Sequence, residues 1–135
     1  MMIPVISVIG EDKKKTTKLV ESIVGELTDR GYKIGVIKHH IHDDFDIDIP
    51  GKPSYRHWKA GARKVAISSP TMFALISKVS EDRMLFEIVK YAFEDMDLVV
   101  TEGYKQAETP KLDSSENRDV SVIADGIERE FLKKT

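Results

Sequence analysis

Apolar residues along the chain fall into short continuous runs separated by stretches of helical periodicity, and that alternation sets the expected architecture. Ile3 to Ile9 is an apolar run closed by Gly10, the mark of a strand buried on both faces. Leu19, Val20, Ile23, Val24 and Leu27 then recur at helical spacing, which predicts a helix over about Lys13 to Asp29 with one buried stripe. Gly31 supplies its stop. Ile34-Gly35-Val36-Ile37 reads as a second buried strand ending at Lys38-His39-His40. Strand, helix and strand in this order form a βαβ unit with parallel strands and a right-handed crossover.

The pattern continues beyond a polar loop over His39 to Lys52. Ser54 is expected to cap a short helix carrying Tyr55, Trp58 and Ala62, with Gly61 near its end. Lys64 to Ser68 and Met72 to Ile76 read as strands around a turn at Pro70. Met84, Leu85, Ile88, Val89, Ala92, Phe93 and Met96 make one helical face, and Asp97 to Val100 is a further buried strand ending at Thr101-Glu102-Gly103-Tyr104-Lys105. A loop with Pro110-Lys111-Leu112 follows, then Val120 to Gly126 as a last strand with its turn, then a short terminal helix to Thr135. The expected fold class is α/β, a three-layer single domain over residues 1–135 with a mostly parallel sheet. Ligands are expected beyond the carboxyl ends of its strands.

Composition narrows the function classes. The 135 residues carry 21 Lys and Arg against 23 Asp and Glu, a net charge of −2, so no nucleic acid or membrane surface is expected as a bulk partner. The absence of cysteine removes disulfides, thiolate metal sites and thiol catalysis. The N-terminal apolar run is short and follows no basic segment, which argues against a signal peptide and for a cytoplasmic protein.

Each notable polar cluster follows an apolar strand, and parallel strands end on one edge, so the clusters should converge. The first is Gly10-Glu11-Asp12-Lys13-Lys14-Lys15-Thr16-Thr17, which has the layout of the phosphate-binding loop G-x-x-x-x-G-K-[ST] but is one residue short, with Lys14 in place of the second glycine. Three lysines at a helix start oppose the macrodipole by roughly 0.3–1 kcal/mol each, and a bound polyphosphate would reverse that sign. Asp12 is equally suited to cap the same helix with its own carboxylate, leaving a solvated lysine run. Glu102, after Asp97-Leu98-Val99-Val100-Thr101, resembles the acidic strand end that orients magnesium and water, and Thr16 is the matching hydroxyl; a solvated glutamate and ordinary first-turn bonding are the plainer roles. Lys38-His39-His40-Ile41-His42-Asp43-Asp44 reads either as metal ligands or, with Arg56, His57 and Lys59 on the next helix, as a cationic lobe for a phosphate-rich ligand. Tyr55 and Trp58 read as core or subunit contacts, and Asp125 as a turn residue or a reader of a purine edge.

Taken together in order, these segments resemble the molybdopterin-guanine dinucleotide biosynthesis protein B (MobB) family. The matching stretches are Ile3 to Gly10 with Lys15-Thr16-Thr17, Gly31 to His40, Phe45 to Lys52 running into Ser54-Tyr55-Arg56-His57, Ala60-Gly61-Ala62, Ser68-Ser69-Pro70, Ala74-Leu75-Ile76, Asp97 to Lys105, Pro110-Lys111 and Val122-Ile123-Ala124. The resemblance implies a P-loop NTPase-like fold, a homodimer, GTP and Mg2+ as ligands, and slow hydrolysis at most. It implies an accessory role in attaching GMP to molybdopterin beside a molybdenum cofactor guanylyltransferase (MobA-like). Gly10, Lys13, Lys14, Lys15, Thr16 and Thr17 would meet phosphate, with Thr16 and Glu102 serving the metal and Glu102 the reacting water. Lys38, His39, Arg56 and His57 would line the anionic cleft. The shortened loop and Pro53, where an acidic residue is expected, depart from the family pattern. An adaptor that keeps the fold and has lost the nucleotide is the alternative.

Overall fold

The computed structural model describes residues 2–42 and 46–132, so expectations placed on Asp43, Asp44, Phe45 and the last three residues lie outside the described residues. The elements are β1 (Val5–Ile9), α1 (Lys13–Asp29), β2 (Ile34–Lys38), α2 (Pro53–Ala60), β3 (Lys64–Ser68), β4 (Phe73–Ser77), α3 (Leu85–Ala92), β5 (Leu98–Glu102), β6 (Lys111–Asp113) and α4 (Val120–Ile127), with a π-helical turn at Glu128–Leu132. The chain divides into two compact units, Met1–His40 with Met84–Thr135, and Ile41–Arg83.

In the first unit a four-stranded parallel sheet has the order β2-β5-β1-β6. Alternation along β1 sends its side chains into two cores. Ile6 and Val8, with Leu98 and Val100 of β5, pack against Val20, Ile23 and Leu27 of α1 and Ile123, Ala124 and Ile127 of α4. Val5, Ile37 and Val99 face the other way, against Leu85 and Val89 of α3. Helices on both faces make the three layers that the alternating pattern predicts. Ser7 and Thr101 place buried hydroxyls in this apolar interior, and both are satisfied. Thr101 Oγ1 donates to Ser7 Oγ at 2.8 Å, and Ser7 pairs with Thr109 Oγ1 at 2.6 Å. Gly31, at φ +96, ends α1 in a left-handed turn in which Tyr32 N–H reaches back to Leu27 C=O.

Three expectations are corrected in this unit. Val120 to Gly126 is a helix, α4, although its β-branched alternation reads as a strand. Asp119 caps it by accepting from Ser121 N–H at 2.8 Å, and burial at Ile123, Ala124 and Ile127 follows a helical face against α1. Lys111–Asp113, expected within a loop, is the strand β6, which pairs with β1 through Ser7↔Lys111 and Ile9↔Asp113. The helix expected over Met84 to Met96 is the shorter α3, and Met84 is its N-cap.

In the second unit β3 and β4 form an antiparallel hairpin of their own, Lys64↔Ser77 to Ser68↔Phe73, so neither extends the parallel sheet. Ser54 does not cap α2. Lys52 holds that position without a side-chain bond, and Pro53 opens the helix. Gly61 closes it in the left-handed conformation at φ +117, as its place in the sequence predicts. None of the described residues of Ile41–Arg83 is buried, and Ile67, Met72, Phe73 and Leu75 lie open along the hairpin. Asp119→Ala tests the helical assignment of α4. It should cost about 1 kcal/mol in a urea melt. Ser121 holds the Asp119 carboxyl below its usual range. The cap is therefore intact above pH about 4 and is lost as the pH falls through the lowered value.

Candidate functional site

The parallel register brings four strand ends to one edge. Lys38 of β2 is opposite Glu102 of β5, Val8 of β1 is opposite that same glutamate, and Ile9 is opposite Asp113 of β6. β1 runs through Gly10 into α1 at this edge, so the lysine-rich turn sits among the ends of its neighbours. The convergence expected from the sequence is present for Gly10 to Thr17, Lys38-His39 and Glu102 to Lys105. Ser68-Ser69 ends a strand of the separate hairpin and Arg56 and His57 lie on α2, so all four belong to the other unit.

The helix entrance is closed by the protein itself. Asp12 is the N-cap of α1, and its Oδ1 accepts from Lys14 N–H at 3.0 Å and Lys15 N–H at 3.3 Å. Its carbonyl accepts from Thr16 N–H and from Thr16 Oγ1 at 3.1 Å. The amides that an anion would use therefore hold an internal carboxylate. Thr16 is buried, and its hydroxyl also meets Ser114 Oγ at 3.0 Å, so first-turn bonding is its observed role. The hydroxyl that reaches the acidic strand end is the next one: Thr17 Oγ1 donates to Glu102 Oε2 at 2.9 Å. Lys38 Nζ pairs with the same oxygen at 3.2 Å from a largely exposed position, which limits that pair to about 0–1 kcal/mol.

Gly10 shows how the loop tolerates being short. A Cβ built on it would stand 2.0 Å from Ser114 Oγ and 2.9 Å from Thr16 Oγ1, so β1's last turn lies directly under the residue that follows β6. Ser114 was not singled out by the sequence; a serine pair after a three-residue strand with one apolar side chain gives almost no signal. A cavity of about 430 Å³ beside this contact is lined by Gly10, Asp12, Lys15, Lys105, Asp113 and Ser114, among others. The Asp113 carboxyl is held below its usual range by Ser115 N–H and hydroxyl, with Lys105 adding to the effect. Two lysines and three carboxylates, Glu11, Asp12 and Asp113, thus share one small space.

Next to Glu102, Tyr104 adopts φ +61, an unusual backbone for a bulky residue, and its ring stacks on His39 with centroids 4.5 Å apart. Thr16, Thr17 and Glu102 supply the hard oxygen donors that suit magnesium. Among the described residues no group of three or more histidines and carboxylates is assembled for a metal ion. Asp125 is corrected most plainly. It lies on α4 and not at a strand end, bonded to Arg30 Nη1 at 2.9 Å. Arg30 closes α1, about 27 Å along the helix from Asp12. There Arg30 also meets Glu26 and Glu128, and Tyr32 donates to Glu128 at 2.6 Å. Asp125 therefore belongs to a clasp between α1 and α4 and is not gathered with the other site residues.

A parallel sheet with helices on both faces, and a lysine-threonine turn between β1 and α1, is a P-loop NTPase-like fold. Residues 5–124 match the family described as molybdopterin guanine dinucleotide synthesis protein B, and the chain belongs to that family. It is 32% identical over 114 residues to the molybdopterin-guanine dinucleotide biosynthesis adapter protein of Escherichia coli, covering 82% of this chain and 65% of that one. The adapter protein of Haemophilus influenzae is 30% identical over 111 residues, with 82% and 62% covered. The chain thus spans a little under two thirds of these relatives' length. Among solved structures, Bacillus subtilis MobB aligns at TM-score 0.68 and 28% identity, covering 82% of this chain and 67% of that one. A molybdopterin-guanine biosynthesis protein B structure aligns at 0.69 over 96% and 99%, and at 22% identity it speaks to the fold alone.

The Gly10–Ser114 contact is open to test. Gly10→Ala should lower stability by about 1–3 kcal/mol through overpacking. Ser114→Gly in the same chain should restore most of that loss, as read by urea unfolding; equal stability of the single and double variants would show that the contact is slack.

Proposed function

We propose that this chain is an adapter in molybdopterin-guanine dinucleotide synthesis that takes GTP with magnesium at the turn before α1, with weak or no hydrolysis. One observation carries the reading: Lys15-Thr16-Thr17 at the start of α1 stands beside the acidic end of the neighbouring strand, with Thr17 bonded to Glu102. In this reading Gly10 and Lys13 to Thr17 meet the phosphates, Thr16 and Glu102 serve the metal, and Glu102 also serves the water. Lys38 and His39 line the same edge beside them, and Asp125 takes no part. Binding is weak because the Asp12 carboxylate must leave the amides of Lys14 and Lys15 before a phosphate can use them. The adapter names of the relatives support a role in molybdopterin-guanine dinucleotide biosynthesis; in this reading the chain works beside a guanylyltransferase acting on molybdopterin, in the cytoplasm. The uncovered hairpin supports a homodimer, since a two-stranded ribbon with an open apolar face is at best marginal alone.

The Asp12 cap also favours a second reading, an adapter of the same fold that binds no nucleotide. Calorimetry separates the two. If the first holds, GTP with magnesium gives saturable heat, Lys15→Ala weakens it about tenfold or more, and Asp12→Ser, which keeps a cap but removes the charge, strengthens it about tenfold, near 1.4 kcal/mol. No heat from either the natural chain or Asp12→Ser at millimolar GTP leaves the nucleotide-free adapter. For the assembly, sedimentation should give about twice the 15.3 kDa of one chain, and Phe73→Glu should return it to a monomer.

A further inference from the structure

The loop over residues 103–110, which follows Glu102, folds around the side chain of Lys111. Lys111 Nζ donates to Ala107 C=O, to Thr109 C=O at 2.8 Å and to Thr109 Oγ1 at 3.0 Å. An ammonium carries three donors and no acceptor, so this set satisfies it fully. None of the three partner oxygens is charged. A ring of neutral oxygens that replaces a hydration shell is how proteins hold a monovalent cation such as potassium. Here the cation is covalently attached, two residues beyond one of its own ligands.

The same oxygens are tied into the sheet and to the edge where the strands end. Thr109 Oγ1 pairs with the buried Ser7 hydroxyl at 2.6 Å, and Ser7 N–H donates to Pro110 C=O at 2.9 Å. Ala107 C=O also accepts from Thr109 N–H at 2.9 Å, and Ala107 N–H donates to Tyr104 C=O at 3.1 Å. The loop begins with Gly103 at φ +100 and Tyr104 at φ +61. A bulky residue holds such a backbone only when its surroundings impose it. Tyr104 and Ala107 pack on the core of Val5, Leu85 and Val99, Tyr104 stacks on His39, and Lys105 lines the cavity beside Gly10. The placement of Tyr104 and Lys105 thus hangs on a short loop wound about one charge.

We propose that the oxygens of Ala107 and Thr109 form a monovalent-cation site that the Lys111 ammonium fills from within, and that Lys111 thereby positions Tyr104 and Lys105 at the sheet edge. With the side chain removed, the site takes ammonium and primary alkylammonium ions. With it present, the loop is indifferent to such ions. The inference does not draw on nucleotide binding at the turn before α1, and its test uses no nucleotide.

The test is chemical rescue in the full chain. Lys111→Ala removes the ammonium with its stem, and n-propylammonium supplies the same atoms. Amide exchange over residues 103–110 is followed by mass spectrometry, with α1 as the reference that separates loop opening from global unfolding. The His39 ring resonances, shifted by the Tyr104 ring and assigned with His39→Gln, report on the edge. In Lys111→Ala, loop exchange should quicken tenfold or more relative to α1, and the His39 resonances should move toward those of an unstacked histidine. Propylammonium chloride should restore both signals. Tetramethylammonium chloride at equal ionic strength, whose cation has no N–H donor, should restore neither. The natural chain should respond to neither salt. Lys111→Met, which keeps the stem and drops the charge, should loosen the loop as Lys111→Ala does. If Lys111→Ala does not fold, recovery of its helical circular dichroism by propylammonium and not by tetramethylammonium is the same result. An unchanged loop in Lys111→Met, equal rescue by the two salts, or no rescue by propylammonium would overturn the proposal.

Discussion

The structure depends on β1 being paired on both sides. β5 takes one edge and β6 the other, so five residues are locked in the middle of a sheet whose two faces are both covered by helices. Because every neighbour is parallel, this pairing alone carries the turn after β1 to the edge where Lys38, Glu102 and Asp113 end their strands. The backbone ladder sets this placement, and the side-chain bonds among Thr17, Lys38 and Glu102 form on it. That is why a glutamate distant in sequence comes within bonding distance of Thr17, and why Ser114 rests on Gly10.

In the proposed reading, a phosphate at that edge would compete with an internal carboxylate for the same donors. A helix start attracts negative charge, and the lysines of α1 add to the attraction. In this chain the nearest negative charge is covalently attached one residue ahead of the helix. Its effective concentration is high, since forming the cap fixes little more than one side chain. A phosphate, in that reading, would have to do better through the lysines and a bound metal together. The loop's brevity works the same way: with Ser114 packed on Gly10, there is little slack for the backbone to curl around a larger anion.

Those parts of the fold with an unambiguous hydrophobic period were legible in the sequence. β1 and β5 are runs buried on both faces, β2 is an apolar run at the sheet edge with Val36 left exposed, and α1 has a stripe that only a helix can bury. α4 was misread because Val120-Ser121-Val122-Ile123 satisfies the strand pattern locally, while the surface of α1 and the Asp119 cap decide for a helix. β6 carries only Leu112 as an apolar signal, and its identity comes from β1 needing a second partner. That Lys15, Thr16, Thr17, Lys38 and Glu102 gather at one edge of the sheet was legible through their positions after strands. Which threonine meets Glu102 was not, because that depends on how the first turn is wound around Asp12. Asp125 was misplaced together with its helix, and Ser114 had no pattern to announce it.

The β1–β6 pairing has a consequence for a chain made from one end. β1, α1 and β2 leave the ribosome early, but the second edge of β1 can be closed only when Lys111–Asp113 appears, about a hundred residues later. At translation rates of about 5–20 residues per second, that edge stays open for roughly 5–20 s. An apolar strand unpaired for that long invites pairing with other nascent chains. The charged sequence after Gly10, Glu11-Asp12 and then three lysines, therefore borders the most vulnerable strand with residues that disfavour β pairing throughout biogenesis, whatever it binds afterwards.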